Sequence, residues 1–123
     1  MMLDSKKIFS ISDVSTISGF SAHTLRFYEK IGLMPFVKRS ASGKRVYDEY
    51  DVQILKSISV FKKTGMTNKQ IKDLGSLYLE GNKKVKEQRN LLLSHKEDIT
   101  KKIDELSEAL NIIEEKLEKS CFL

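Results

Sequence analysis

A heptad repeat in the last third of the chain constrains its fold more than any other feature. Apolar residues recur every seven positions: Val85, Leu92, Ile99, Leu106 and Ile113. A second series, four residues on from these, is charged at first and then apolar: Arg89, Lys96, Ile103, Leu110 and Leu117. These are the d and a positions of a coiled coil. The rest of this short chain is too small to cover such a helix, so the pattern predicts a second copy as its partner.

Charge is distributed unevenly along the 123 residues. Residues 1–81 hold 13 Lys and Arg against 8 Asp and Glu, whereas residues 82–123 hold 9 of each, so the whole excess of +5 lies in the first segment. A basic segment indicates a polyanionic partner, and a balanced one is typical of a solvated helix. One Cys, no signal peptide and no apolar run of membrane-spanning length predict a cytoplasmic protein without intrachain disulfides or membrane contact.

A first short helix is predicted within residues 8–20. Ser12 is its expected N-cap, Val14 and Ile17 share its inward face, and Gly19 ends it. The cap, the periodicity and the glycine are local signals that together fit about two turns of helix.

A second short helix follows directly. Ser21 is its predicted N-cap, the helix covers residues 22–31, and Phe20 and Leu25 have the spacing of a hydrophobic staple. Two short helices joined through Gly-Phe-Ser are typical of a helix-turn-helix. In that motif the second helix enters the major groove of DNA and its first turns meet the base edges.

A basic β-hairpin is predicted next, because Pro35 prevents helix continuation. Two short extended runs, residues 36–39 and 44–47, flank Ser-Ala-Ser-Gly, with Gly43 at the turn. A hairpin in this position would form a wing beside the second helix.

Two further helices complete the first segment. Asp48 is expected to cap a third helix that ends near Thr64, with an inward side that comprises Val52, Leu55, Ile58, Ser59 and Val60. Thr67 and Gln70 are spaced as a capping box for a fourth helix. The predicted fold is mainly α, with a winged helix-turn-helix over residues 8–81, a dimerisation helix over 82–119 and a short tail over 120–123.

The candidate DNA contacts lie on the second helix and on the wing. On the helix they are Ser21, His23, Thr24, Arg26 and Tyr28, and on the wing they are Arg39, Lys44, Arg45 and Tyr47. Base-edge contacts from the helix would give specificity, and phosphate contacts from the wing would give affinity. Other interpretations stay open, because Arg26 could pair with Glu29 or Glu49, and Tyr28 could be a core residue with its hydroxyl at the rim.

The order ISDVSTISGFSAHTLRFYEKIGLMP, SASGKRVYDEYDVQIL and FKKTGMTNKQIKDL resembles the MerR family of bacterial transcription regulators over about residues 8–80. The resemblance implies an antiparallel dimer of the terminal helices that binds an imperfect palindrome in promoter DNA. It also implies bending and untwisting of that DNA so that RNA polymerase can engage both promoter elements. The family's DNA contacts fall on Arg26, Tyr28, Arg45 and Tyr47. The wing departs from the usual Gly-Tyr-Arg, because it has Lys44 after Gly43.

The signal that controls such a regulator is not evident in the sequence. The chain resembles the short form of the family, without a separate effector domain. In metal-sensing members of that family, thiolate ligands typically lie near the start of the long helix and in a loop after it. This chain has no Cys near residues 81–84, and its single Cys121 could form a two-chain site only if both tails met. No cofactor or metal site is therefore expected, although a metal- or thiol-responsive protein that uses Cys121 stays an alternative.

Two other classes of protein can be compared with a DNA-binding regulator. An enzyme is not expected, because no phosphate-binding Gly loop, nucleophile with a base partner or apolar carboxylate pair is present. A coiled-coil adaptor that binds no DNA is the other alternative. The clustered basic wing argues against it, and loss of DNA binding with rising salt would separate the two classes.

Overall fold

The computed structural model describes residues 7–120, apart from the side chain of Tyr78, and these divide into two compact units, one ending at Leu79 and one starting at Glu80. The first unit contains α1 (Ile11–Ser18), α2 (Ala22–Lys30), β1 (Lys38–Arg39), β2 (Arg45–Val46), α3 (Glu49–Lys63) and α4 (Asn68–Leu79). The second contains a 3-10 turn (Gly81–Lys84) and α5 (Val85–Lys119). The predicted class, mainly helical with a small hairpin and a long terminal helix, is confirmed.

The first helix begins at a different serine from the one predicted. Ser10, not Ser12, is the N-cap of α1: its hydroxyl accepts from Asp13 N at 3.1 Å, and Ser10 N donates to Asp13 Oδ2 at 3.0 Å. This reciprocal capping box satisfies two N–H groups, whereas Ser12 has no acid three residues on. Gly19 ends the helix as predicted, with φ +80°, a conformation that glycine adopts without strain.

Helix α2 has the predicted start, and its last residue lies one position earlier than expected. Ser21 caps it, Lys30 is its last residue, and Ile31 forms the C-cap. Leu25 and Tyr28 are the buried residues of the helix. Tyr28 packs edge-on against Phe20, with ring centroids 5.2 Å apart, so the turn between α1 and α2 is tied to the inner face of α2.

The hairpin is present, with strands shorter than predicted. Lys38 pairs with Val46 and Arg39 with Arg45, in antiparallel register. Gly43 has φ +84° at the turn, where Gly43 N donates to Ser40 O at 2.9 Å. A third extended segment was not predicted: in an isolated bridge, Phe9 and Tyr47 exchange two backbone hydrogen bonds of 2.8 and 2.9 Å.

Helices α3 and α4 complete the core of the first unit. Asp48 caps α3, and Thr67 and Gln70 form the predicted capping box at the start of α4, with hydrogen bonds of 2.9 and 3.1 Å. The core has contributions from all four helices: Val14, Leu25, Leu55, Ile58, Ile71 and Leu74.

Two residues predicted to face inward lie at the surface instead. Val60 is 57% exposed because it follows Ile58 by two residues, which places it on almost the opposite side of the helix. Ile17 is 46% exposed, since the neighbours of α1 cover Val14 and leave Ile17 at a shallow surface depression beside Ile8 and Phe9.

Helix α5 is a single 35-residue helix in which no residue is buried. The later heptad positions are exposed in the single chain: Ile103 57%, Leu106 71%, Leu110 55%, Ile113 55% and Leu117 74%. Together with Ile99 they lie within an arc of about 80°, because each residue advances the helix by about 100°. The predicted apolar seam is therefore continuous along one side of α5 from Ile99 to Leu117.

Candidate nucleic-acid interface

The first turn of α2 is built by two hydroxyl side chains. Ser21 Oγ accepts from Thr24 N at 3.1 Å and donates to Thr24 Oγ1 at 3.0 Å. The pair fixes the start of the helix, and Thr24 Oγ1 can still donate its own hydrogen to a ligand. His23 lies beside them and is exposed.

An exposed face continues along α2 from this turn. His23, Arg26, Phe27 and Lys30 are all exposed and are spaced three, four and seven residues from the first, so they share one side of the helix. Arg26 has no hydrogen bond or ion pair to any of the described residues 7–120. The alternative pairing of Arg26 with Glu29 or Glu49 is therefore not observed. Glu29 pairs with Arg39 and Arg45 instead, and Glu49 pairs with Lys7.

Sequence reasoning missed two members of this face. Phe27 is 44% exposed, and Lys30 is exposed in the last turn of α2. The signal was present in the spacing, since both lie on the helical face that His23 and Arg26 define. They add an apolar surface and a cation to the candidate contacts.

The wing presents three basic side chains next to one another. Arg39 and Arg45 lie directly opposite on β1 and β2, and Lys44 is exposed beside the turn. Arg39 Nη1 donates to Gly43 O at 3.0 Å, which holds this side chain along the hairpin loop. The sequence-predicted wing cations are thus brought together on the hairpin.

Glu29 joins the wing to α2. Its Oε2 accepts from Arg45 Nε at 2.5 Å, and its Oε1 lies 3.5 Å from Arg39 Nη2. The side chains of Glu29 and Arg45 are 25% and 23% exposed, so water screens this pair less than it screens a fully exposed ion pair. Both strands of the wing are therefore tied to the helix that carries Arg26.

The two tyrosines predicted as DNA contacts have buried rings. Tyr28 is 4% exposed and Tyr47 is 1% exposed, and the Tyr47 hydroxyl has no hydrogen-bond partner among the described residues. Burial raises the pKa of both phenols. For Tyr47, the charges of Glu29 and Asp51 raise the pKa further, while those of Arg45 and Arg26 lower it. Charged side chains of both α2 and the wing thus lie close enough to the Tyr47 hydroxyl to affect its pKa.

The structure also contains an apolar cavity of about 380 Å³ within the first unit. Its wall includes Met34, Phe36, Ile54, Ile58, Leu74 and Leu79. None of the nine predicted DNA contacts lines it. The cavity is therefore separate from the candidate interface.

Two further properties concern the described residues only. Among residues 7–120, no group of three or more His, Cys, Asp or Glu side chains is arranged to hold a metal ion. Cys121, the predicted alternative ligand or redox thiol, lies outside this range. No helix in the same range combines the length and apolar character needed to cross a bilayer.

A helix-turn-helix with an exposed polar second helix, followed by a basic hairpin, defines the class of winged helix-turn-helix DNA-binding proteins. Within this class the chain belongs to the MerR family, because the sequence model of that family, described as MerR HTH family regulatory protein, matches residues 9–76. The resemblance noted in the sequence is confirmed.

Relatives and a solved structure agree with this assignment. The HTH-type transcriptional regulator AdhR of Bacillus subtilis is 34% identical over 88 residues, which are 72% of this chain and 63% of AdhR, so less than two thirds of AdhR is matched. An uncharacterized HTH-type regulator of Haemophilus influenzae is 36% identical over 80% of this chain and 73% of its own length. The crystal structure of HiNmlR, a MerR family regulator lacking the sensor domain, bound to promoter DNA, has a TM-score of 0.84 at 32% identity, and covers 91% of this chain and 89% of that one.

Proposed function

We propose that this protein is a cytoplasmic transcription regulator that binds a specific promoter sequence as a homodimer, and that it is not an enzyme. The observation that carries the proposal is Arg26, an exposed cation that forms no ion pair with any of the residues the structure describes, on a helix that lies beside a basic wing. Exposed cations grouped on one surface attract a polyanion, and a helix-turn-helix presents them to the major groove. The DNA-bound state of the similar HiNmlR structure supports the same interpretation.

Each part of the interface has a proposed role. His23, Thr24 and Arg26 contact base edges, with Arg26 able to bind guanine through two hydrogen bonds, and Ser21 sets the helix start. The wing cations Arg39, Lys44 and Arg45 bind phosphates. Lys30 and Phe27 extend the surface on the same face of α2, where Phe27 could contact a thymine methyl.

The tyrosines have a narrower role than the cations. Because the rings of Tyr28 and Tyr47 are buried, neither ring offers a surface to DNA, and any contact with a phosphate would have to come from a hydroxyl group. The Tyr47 hydroxyl is covered in the free chain, so contact with DNA requires a shift of the residues over it. An unpaired buried hydroxyl costs free energy, and a new partner in the complex would recover some of it.

Helix α5 supplies the proposed dimer interface. Its seam residues are Ile99, Ile103, Leu106, Leu110, Ile113 and Leu117, which expose a continuous apolar stripe in the single chain. An antiparallel pair of such helices buries both stripes and relates the two DNA-binding units by a two-fold axis. A two-fold dimer accounts for recognition of an imperfect palindrome.

Regulation would act through the shape of the DNA. Following the family resemblance, the activated dimer bends and untwists the promoter so that RNA polymerase can engage both of its elements. Bending a promoter site costs a few kcal/mol of free energy, because duplex DNA is stiff. Sequence preference would then extend to base pairs that the protein does not touch.

Selection of binding sites from random duplex DNA tests the proposal. The full chain and an Arg26→Ala variant would be selected in parallel at near-physiological salt, since phosphate contacts make affinity strongly salt-dependent. A two-fold symmetric site enriched by the full chain, and lost or relaxed in the variant, supports the proposal. If no sequence is enriched at any salt concentration, the protein is not a specific DNA-binding regulator, and the adaptor alternative takes its place.

A further inference from the structure

The wing contains a pair of like charges that opposes folding of the hairpin. Arg39 and Arg45 lie directly opposite on the two strands, and like charges in that position destabilise a hairpin. The strands are only two residues long, so few backbone hydrogen bonds oppose the repulsion. Glu29 approaches both guanidinium groups from α2, with one carboxylate oxygen directed to each.

The way in which Glu29 binds Arg45 leaves the outer part of that side chain available. The carboxylate accepts from Nε, which lies nearest the aliphatic stem. The terminal nitrogens of Arg45 have no hydrogen-bond partner among the described residues. A guanidinium group held by its inner N–H keeps its terminal N–H groups for a bidentate bond to a phosphate, in an orientation fixed before DNA arrives.

We propose that Glu29 is a positioning residue that determines sequence specificity: it orients the wing arginines relative to α2 so that phosphate and base contacts form in one register. This inference rests on the proposed function. Glu29 acts through Arg39 and Arg45 and does not itself bind DNA. Without it, the wing can still attract DNA, but its arginines no longer fix the position of Arg26 over the bases.

Charge alone predicts the opposite effect, which makes the inference testable. An acid on a DNA-binding surface repels phosphate, so its removal should strengthen binding to every duplex. A positioning role predicts that specific binding weakens while binding to random DNA does not. The ratio of the two affinities therefore separates the explanations, and general loss of folding would not move it in this way.

The experiment compares three variants of the full chain on the selected site and on a random duplex of equal length, at two salt concentrations. Glu29→Gln keeps the shape of the side chain and removes its charge, whereas Glu29→Asp keeps the charge and shortens the reach. Glu49→Gln is the matched control, because it also removes one negative charge from the first unit. Glu49 pairs with Lys7 at 3.9 Å and not with the wing arginines.

The expected result is a fall of about tenfold in the ratio of specific to random affinity for both Glu29 variants, the size expected when a hydrogen bond between charged groups is lost. Glu49→Gln should leave the ratio unchanged. The inference is overturned if Glu29→Gln strengthens both affinities equally and Glu29→Asp changes neither. Circular dichroism would report the folded fraction of each variant, and Glu29→Asp decides the question if Glu29→Gln unfolds. If the unsubstituted chain itself shows no preference for any site, the proposed function fails, and this inference fails with it.

Discussion

Replacement of Ile113 by Asp tests the proposed dimer interface with a matched control at the next residue. Ile113 belongs to the apolar seam of α5 and is 55% exposed in the single chain, whereas Ile112 is 49% exposed and lies about 100° away around the helix, off the seam. Full burial of an Ile side chain contributes about 1.5–3 kcal/mol, so covering the exposed 55% contributes about 0.8–1.7 kcal/mol per chain. In a two-fold dimer this doubles to about 1.6–3.3 kcal/mol.

That free energy corresponds to an increase in the dimer dissociation constant of about 15- to 250-fold from the lost apolar contact alone. Two carboxylates placed in the seam add a desolvation cost of several kcal/mol. Ile113→Asp should therefore be monomeric at micromolar concentration, while Ile112→Asp, which makes the same chemical change, should remain dimeric.

Sedimentation equilibrium over a range of concentrations measures both constants, and circular dichroism reports whether α5 stays helical. The reasoning would be refuted by an Ile113→Asp protein that dimerises as tightly as the unsubstituted chain. Equal weakening by the two variants would also refute it, because the interface would then not be confined to the predicted seam.

Three further predictions concern the DNA-binding unit. Arg26→Ala should weaken binding to the selected site by about 1–3 kcal/mol and relax its sequence at one position, and an unchanged affinity would remove the assigned role. Lys44→Ala should reduce the slope of log affinity against log salt by about one unit, whereas Lys119→Ala, which removes a cation paired with Glu115, should not alter it. Burial raises the pKa of Asp51, so its carboxyl group binds a proton more tightly in the folded state than in the unfolded state. Lowering the pH from 7 to about 4.5 should therefore raise the unfolding free energy of the unsubstituted chain relative to that of Asp51→Asn. A flat difference in urea titrations would contradict this assignment.

The sequence by itself determined the features that depend on neighbouring residues. Ser21, Gly19 and the Thr67–Gln70 pair act within one turn of chain, and each formed the predicted cap or stop. The heptad series of α5 is likewise local, because helical periodicity alone places those side chains on one face. The N-cap of α1 is Ser10 and not the predicted Ser12, because the carboxylate of Asp13 completes a capping box with Ser10.

Only the tertiary structure decided how the interface is assembled. The Glu29–Arg45 contact joins residues 16 positions apart in different elements, and no periodic pattern in the chain marks it. The same is true of the Phe9 bridge to Tyr47 and of the burial that removes the Tyr47 ring from the surface. Caps and periodicity follow from the chain's own geometry, whereas ion pairs and burial depend on which distant elements meet. The sequence therefore identified the cations Arg26, Arg39, Lys44 and Arg45 of this interface, but neither the exposed Lys30 nor the role that we propose for Glu29.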